Sequence, residues 1–245
     1  MMEKEDTVSV KLIIAQDVLD MFPNLRIGVV AGRGVNNTGT NADLEKIKQS
    51  AAATVRQNLT NESLAQLPQI TAWRETYRRF GSKPNSFRPT AEALLRRIIR
   101  GEDIMTISPA VDAYLAIEAE FYLPIGGYDL DHIVGDITLR LSPGEEPFTP
   151  IGGGEAEEKT YAGEVVYADS EKILTRRWNY RDCDAAKITQ ESHDIALFCE
   201  ATMPDITTTQ LTDCTERLAD YLRRFCGGTV ASQLVEAQQQ QAVEI

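Results

Sequence analysis

The sequence predicts an α+β fold, on three observations. Helical spacing of apolar residues dominates the first half of the chain. Alternating and short apolar runs dominate the second half, and no internal repeat joins the two. Such segregation argues against a doubly wound sheet, in which strands and helices would take turns along the chain. With 245 residues, 42% of them hydrophobic and 25% charged, the chain can bury a sizeable core without disulfide or metal staples.

Val8, Val10, Leu12 and Ile14 alternate with polar neighbours as in a half-buried strand, and residues 25–30 read as a second strand. Residues 31–41 read as a flexible polar loop. Gly32 and Gly34 stand there at G-x-G spacing, but Asn37 takes the place of a third glycine and no Gly-Lys-Ser/Thr follows, so the nucleotide signal is weak. Asn41 or Asp43 can cap a helix reaching about residue 59. Leu67, Ile70, Trp73 and Tyr77 share a helical face over residues 64–80, stopped by Gly81. Pro89 suits the first turn of the next helix, whose apolar face is Ala91, Leu94, Leu95, Ile98 and Ile99. A shorter helix follows Pro109. Beyond Pro124 come an alternating strand at 135–141, a Pro143-Gly144 turn, a loop over 148–161 with glycines at 152–154, and a hairpin pairing 165–167 with 173–174. Residues 195–199 read as an interior strand. Residues 207–225 read as an amphipathic helix closed by Gly227-Gly228, and the glutamine-rich end reads as frayed.

Several function classes are disfavoured. No run of about 18 apolar residues is available to span a membrane. The polar N-terminus is not a signal peptide, so a cytoplasmic location is expected. Cys183, Cys199, Cys214 and Cys226 form no C-x-x-C pair, and His132 and His193 have no paired-ligand spacing. Reduced core thiols, no metal and no cofactor are expected. There is no G-x-S-x-G elbow and no H-E-x-x-H, and paired carboxylates such as Asp182/Asp184 read as turn and capping residues.

The net charge is −12, a poor balance for nonspecific nucleic-acid binding. Yet residues 73–100 carry eight basic residues against two acidic ones, a local +6 that leaves −18 elsewhere. One basic surface on an acidic body suits a polyanion held in a defined orientation. Solvated helix faces with arginine stems over apolar surface are the plainer alternative.

Four stretches in order resemble one family: Trp73-Arg74-Glu75-Thr76-Tyr77-Arg78-Arg79-Phe80-Gly81-Ser82-Lys83-Pro84 with its continuation to Leu95; Val111-Asp112-Ala113-Tyr114; Leu123-Pro124-Ile125-Gly126-Gly127-Tyr128-Asp129-Leu130-Asp131; and Arg176-Arg177-Trp178-Asn179-Tyr180-Arg181. The chain resembles the tRNA-binding and editing domain of the bacterial phenylalanyl-tRNA synthetase beta subunit, in free-standing form. The resemblance covers about residues 8–225 and implies a single domain of layered mixed β-sheets with helices packed on one side; residues 8–228 are assigned to that domain, and 229–245 read from their composition as a polar, flexible tail. The resemblance implies a factor that hydrolyses mischarged aminoacyl-tRNA in trans and does not charge tRNA itself. The partner would be the aminoacylated 3′ end of tRNA, with no DNA and no membrane. A noncatalytic tRNA- or RNA-binding module and a small amino-acid or nucleotide binder are the alternatives.

An aminoacyl ester is already activated, so a pocket need only orient a water and stabilise an oxyanion. No catalytic residue is assigned. The pocket set is Asp112, Tyr114, Gly126, Gly127, Asp129, Asn179, Arg181 and Glu200, and the RNA-binding set is Arg74, Arg78, Arg79, Lys83 and Arg88. Following a strand, Asn179 and Arg181 would share a face, with Arg181 on a phosphate or carboxylate. An internal ion pair of Arg181 with Asp182 or Asp184 is the plainer alternative. Asp112 and Asp129 would orient an amino group or ribose, or else cap a helix and a turn. The sequence departs from the synthetase pattern in three places. Gly126 stands where the synthetase has histidine, residues 179–183 lack the glycines of its editing loop, and Asp112 is followed by Ala113-Tyr114 rather than Thr-Asn. Glu200 corresponds to the acidic residue that reads a tyrosine hydroxyl.

Overall fold

The computed structural model describes residues 10–153 and 158–245. Val8 and Gly154, both part of the expectations above, lie outside the described residues. The chain runs β1 (Lys11–Ile14), α1 (Gln16–Met21), β2 (Arg26–Arg33), α2 (Ala42–Asn58), α3 (Asn61–Leu64), α4 (Pro68–Arg79), α5 (Thr90–Ile99) and α6 (Pro109–Phe121). It continues with β3 (Ile125–Asp129), β4 (Ile137–Leu141), β5 (Pro147–Phe148), β6 (Glu158–Lys159), β7 (Val165–Ala168), β8 (Ile173–Arg176) and β9 (Arg181–Asp182). The last elements are β10 (Ile195–Ala201), α7 (Thr208–Cys226), β11 (Thr229–Glu236) and β12 (Ala242–Glu244). This is the mixed α+β architecture the sequence predicts.

Two sheets carry the fold. The first, in the order β11-β2-β10-β3, is antiparallel throughout; the second, β12-β1-β4-β7-β8-β9, has one parallel pair, β1 with β4. β5 and β6 pair separately. β10 is buried along its whole length, as its apolar run over residues 195–199 requires, and Glu200 is buried with it. The period of two splits its side chains between two layers. Cys199 meets Thr215 of α7, Sγ to Oγ1 3.4 Å, whereas Phe198 stacks on Tyr167 of the second sheet with ring centres 5.7 Å apart. α7 lies close on β2, because a Cβ at Gly28 would stand 1.9 Å from Thr215 Oγ1. α7 also packs on α6, and α6 on α2. Helices α2 to α6 enclose a second apolar cluster of their own, including Val55, Leu64, Ile70, Leu95 and Ile98.

Four expectations are corrected. The single helix over 64–80 is two, because Pro68 leaves Leu67 extended at ψ 135° and the helix must restart. The second strand runs on through Gly32 to Arg33, paired on both sides by β10 and β11. The loop over 148–161 contributes to the β5–β6 pair. The end of the chain is not a free tail: eight residues of β11 pair with β2, and Val243 of β12 lies opposite Leu12 of β1. Its glutamines suggest fraying, but Gln238 to Gln241 form only the turn between two strands, and Val235 and Val243 are buried.

Candidate functional site

Strand periodicity points Gly126 and Tyr128 of β3, Glu200 of β10, Tyr167 of β7 and Thr175 of β8 into the space between the sheets, and Asp182 of β9 closes one end. The turn before β9 completes the wall. Arg177 and Trp178 adopt left-handed backbone, φ 47° and 66°, a costly conformation for residues with a Cβ. Packing holds them there. Trp178 sits edge-on to Phe22 and Trp73, and the Arg177 guanidinium lies 3.7 Å from the centre of the Phe87 ring. The reward of this geometry is that Trp178 Nε1 donates to Glu200 Oε1 at 2.8 Å, and Asn179 is turned into the recess.

The recess is polar and tight. The hydroxyls of Tyr128 and Thr175 are 2.5 Å apart, Thr175 donates to Asp182 Oδ1 at 2.6 Å, and Tyr167 donates to Glu200. Asn179 Oδ1 accepts from the Tyr77 hydroxyl at 2.8 Å, while its Nδ2 is buried with no hydrogen-bond partner. About 20 Å³ of free space remains, enough for one water-sized group. Burial pushes the carboxyl of Asp182 up to about 6 against the Thr175 hydroxyl, and that of Glu200 up to about 7 against the Tyr167 hydroxyl and the Trp178 indole N–H, donors that favour the charged form. Burial takes Glu118 of α6, which borders the same region, to about 8.

Two further cavities share wall residues with the recess. A groove of about 600 Å³ is lined by Arg88, Arg96, Arg97 and Arg100 along α5, and reaches Tyr114, Glu118 and Asp182. An apolar pocket of about 280 Å³ is walled by Ile107, Val111, Tyr114, Ile151 and Ile188. Asp182 borders the recess, the groove and the apolar pocket, and for that reason stays half-covered.

The B3/4 domain family matches residues 72–227, more than half of the chain and the part that holds nearly all of these groups. The chain belongs to the B3/4 domain family. No curated protein matches it. Among solved structures, an N-terminal fragment of the phenylalanyl-tRNA synthetase beta subunit from Pyrococcus horikoshii is similar at 12% identity and a TM-score of 0.44. The match covers 96% of this chain and 56% of that one. The chain therefore spans little more than half the length of that fragment.

Within this B3/4 domain the predicted pocket residues divide. Gly126, Asn179 and Glu200 meet in the recess, with Tyr114 and Gly127 on the apolar pocket. Gly126 leaves room, since a Cβ there would come no nearer than 4.0 Å to Asp182 Oδ2; at Gly127 a Cβ would strike the Ala196 carbonyl at 2.2 Å. Asp112 lies elsewhere, paired with buried Lys48 at 2.9 Å and accepting from the Ile107 N–H. Asp129 accepts from the Ser192 hydroxyl at 2.6 Å and caps the turn at Leu130–His132. Arg181 does not share a face with Asn179, because Asn179 belongs to the left-handed turn and not to a strand. Arg181 points outward and meets Glu158 at 3.3 Å, an ion pair with a partner the sequence did not suggest.

The basic set divides as well. Arg74 is bound to the wholly buried Glu92 by two hydrogen bonds of 2.6 and 2.7 Å. Arg78 and Arg79 flank Glu75, and Lys83 is exposed with no ion pair among the described residues. Of the five, Arg88 alone lines the groove, and its companions there are the later arginines of α5.

Asp182, Glu118, Thr175 and Tyr167 were not foreseen. Glu118 left a signal: it falls on the same helical stripe as Val111, Tyr114 and Leu115, where an apolar residue belongs. All four cysteines are buried and free. No group of three or more His, Cys, Asp or Glu is placed to hold a metal among the described residues. None of the described helices is long and apolar enough to cross a membrane.

Proposed function

We propose that this domain hydrolyses the ester of mischarged aminoacyl-tRNA in trans and has no aminoacylation activity of its own. One observation carries the reading: the arginine groove and the carboxyl recess share Thr90, Ile125 and Asp182 in their walls. A polyanionic 3′ end belongs in the groove, where guanidinium groups meet phosphates. The α-ammonium of the aminoacyl group is repelled by those arginines and attracted by Asp182. The ester carbonyl then faces the recess.

There the chemistry is hydrolysis by an oriented water. Glu200, held near neutrality, takes a proton from the water as the water oxygen bonds to the carbonyl carbon. Asn179 Nδ2, a buried donor without a partner, stabilises the oxyanion. Collapse breaks the bond to the ribose oxygen, which leaves with the proton as a free hydroxyl. The site needs no metal for these steps.

A noncatalytic tRNA-binding module is the second reading, favoured by the recess being filled by the chain's own Tyr128 and Tyr167. A deacylation time course decides between them, on correctly and wrongly charged tRNAs with no ATP or metal added. Hydrolysis of a mischarged species with its matched pair spared supports editing. Salt-dependent tRNA binding with no turnover supports the module.

A further inference from the structure

We infer that the apolar pocket beside Asp182 is the side-chain specificity site, and that it selects aminoacyl groups with large apolar side chains, aromatic or branched aliphatic. The inference rests on the aminoacyl-ester reading of the same site and adds the substrate class to it.

The other two cavities cannot take such a side chain. The recess has space for one water-sized group, and Glu200 Oε1 already accepts from the hydroxyl of Tyr167 and the indole N–H of Trp178, so the recess admits the attacking water and no side chain. The groove carries four arginines and suits phosphate. With the α-ammonium on Asp182 and the carbonyl toward the recess, the third substituent of the α-carbon has one remaining direction, across Tyr114 into the apolar pocket.

That pocket is built for apolar contact. Its volume of about 280 Å³ suits an amino-acid side chain, and Ile107, Val111, Ile151 and Ile188 surround it. Among the described residues four large hydrophobic side chains are exposed: Met105, Ile107, Val134 and Ile151. Met105 borders the groove, and Ile107 and Ile151 rim the apolar pocket, so three of the four line the two cavities that share Tyr114 and Asp182. Clustered exposure of this kind marks a surface that is covered when ligand binds. Lys187, the cation on this wall, is held by Asp184 at 2.7 Å and disfavours a basic side chain.

The test uses the whole chain and 3′-aminoacylamino-adenosine amides, which cannot be hydrolysed, with binding read by calorimetry. The phenylalanyl and isoleucyl forms should bind at least about tenfold tighter than the glycyl form, the scale on which a pocket reads missing methylenes. Ile107→Asp and Ile151→Asp change exposed positions and should keep the wild-type melting temperature. Each should cut that preference to about threefold or less, whereas Asp182→Asn should weaken all forms alike. Equal binding of glycyl and phenylalanyl forms, or a preference untouched by both rim variants, overturns the inference. Hydrolysis is scored separately on the matching aminoacyl-tRNAs. Side-chain preference without turnover sinks the hydrolase and keeps the pocket; turnover without preference does the reverse.

Discussion

Glu92 and Glu118 are both wholly buried, on neighbouring helices, and they end in opposite states. Glu92 of α5 is held by Arg74 and Arg96, with Arg88 at 3.7 Å. Burial pushes its carboxyl up, but the hydrogen bonds from Arg74 and Arg96 outweigh it, and Glu92 stays ionised below the usual range. Glu118 of α6 meets no cation among the described residues; the Ile125 N–H donates to it at 3.4 Å, and burial raises its carboxyl to about 8. The contrast extends to the regions around them. The helical layer neutralises its buried charges locally, Lys48 with Asp112 being a second case. Among the described residues no cation pairs with Asp182 or Glu200 in the recess, nor with Glu118 on the groove beside it. Structural ionic hubs are compensated, whereas titratable groups left uncompensated beside a cavity are the pattern of a working site.

The largest effect expected from this contrast is on turnover. Glu200→Gln keeps the shape of the carboxyl and removes the base, so deacylation should fall by about 10²-fold or more while tRNA affinity and melting temperature hold. An unchanged rate would place the base elsewhere. Next comes stability. Glu92→Gln leaves Arg74 and Arg96 short of a counter-charge. Because both arginines are partly exposed, the loss should be about 2–3 kcal/mol, at the lower edge of what breaking a buried pair costs. Urea unfolding at neutral pH measures it, and a loss under about 0.5 kcal/mol, ordinary for a surface change, would refute the hub.

Glu118→Gln should do the opposite. A carboxyl raised in the folded state binds its proton more tightly there than in the unfolded chain. Stability from that proton is present at low pH and drains as pH rises from the ordinary carboxyl range to about 8. One such group contributes a slope of up to about 1.4 kcal/mol per pH unit. Removing it should flatten the decline of melting temperature across that window and make the variant the more stable protein at its alkaline end. If wild type and variant fall in parallel, Glu118 is not the group that titrates.

How much of this was legible beforehand follows from physics. Period and capping are local, so α2 with its Asn41 cap, α7 with its Thr207 capping box, and the buried β10 could all be read. Pairing partners are not local, which is why the polar-looking strands β11 and β12 read as a tail in the sequence. In the site, Glu200, Asn179 and Gly126 were reached through the family resemblance. Asp182 was missed because nothing in Arg181-Asp182-Cys183 tells which neighbour faces inward. That choice is made by the left-handed Arg177-Trp178 pair upstream, which sets the phase of β9. The basic segment was found as a segment, but its sorting into hub, exposed and groove arginines depends on where Glu92 and Glu102 lie.

A smaller effect separates those arginines. Arg100 lines the groove, is largely exposed, and among the described residues pairs with Glu102 alone, at 3.3 Å. Arg100→Ala should leave stability unchanged and weaken tRNA binding by about tenfold or less at low salt, lowering the salt slope by about 1. Arg78→Ala, on α4 outside the groove, should change neither by as much. Equal effects would move the RNA surface onto α4.

The smallest effect is expected at Arg181, the residue whose position in sequence looked most like a ligand contact. Its guanidinium lies outside the recess, paired with Glu158 at 3.3 Å and half-exposed. Exposed pairs of this kind are worth about 0–1 kcal/mol and are screened by salt. Arg181→Ala should therefore leave the rate within about twofold and the stability within about 0.5 kcal/mol, while Asp182→Asn, one residue on, weakens every aminoacyl ligand. A steep loss in Arg181→Ala with stability intact would mean that the substrate draws the arginine inward. The recess and its uncompensated carboxyls would then be completed by a cation only when occupied.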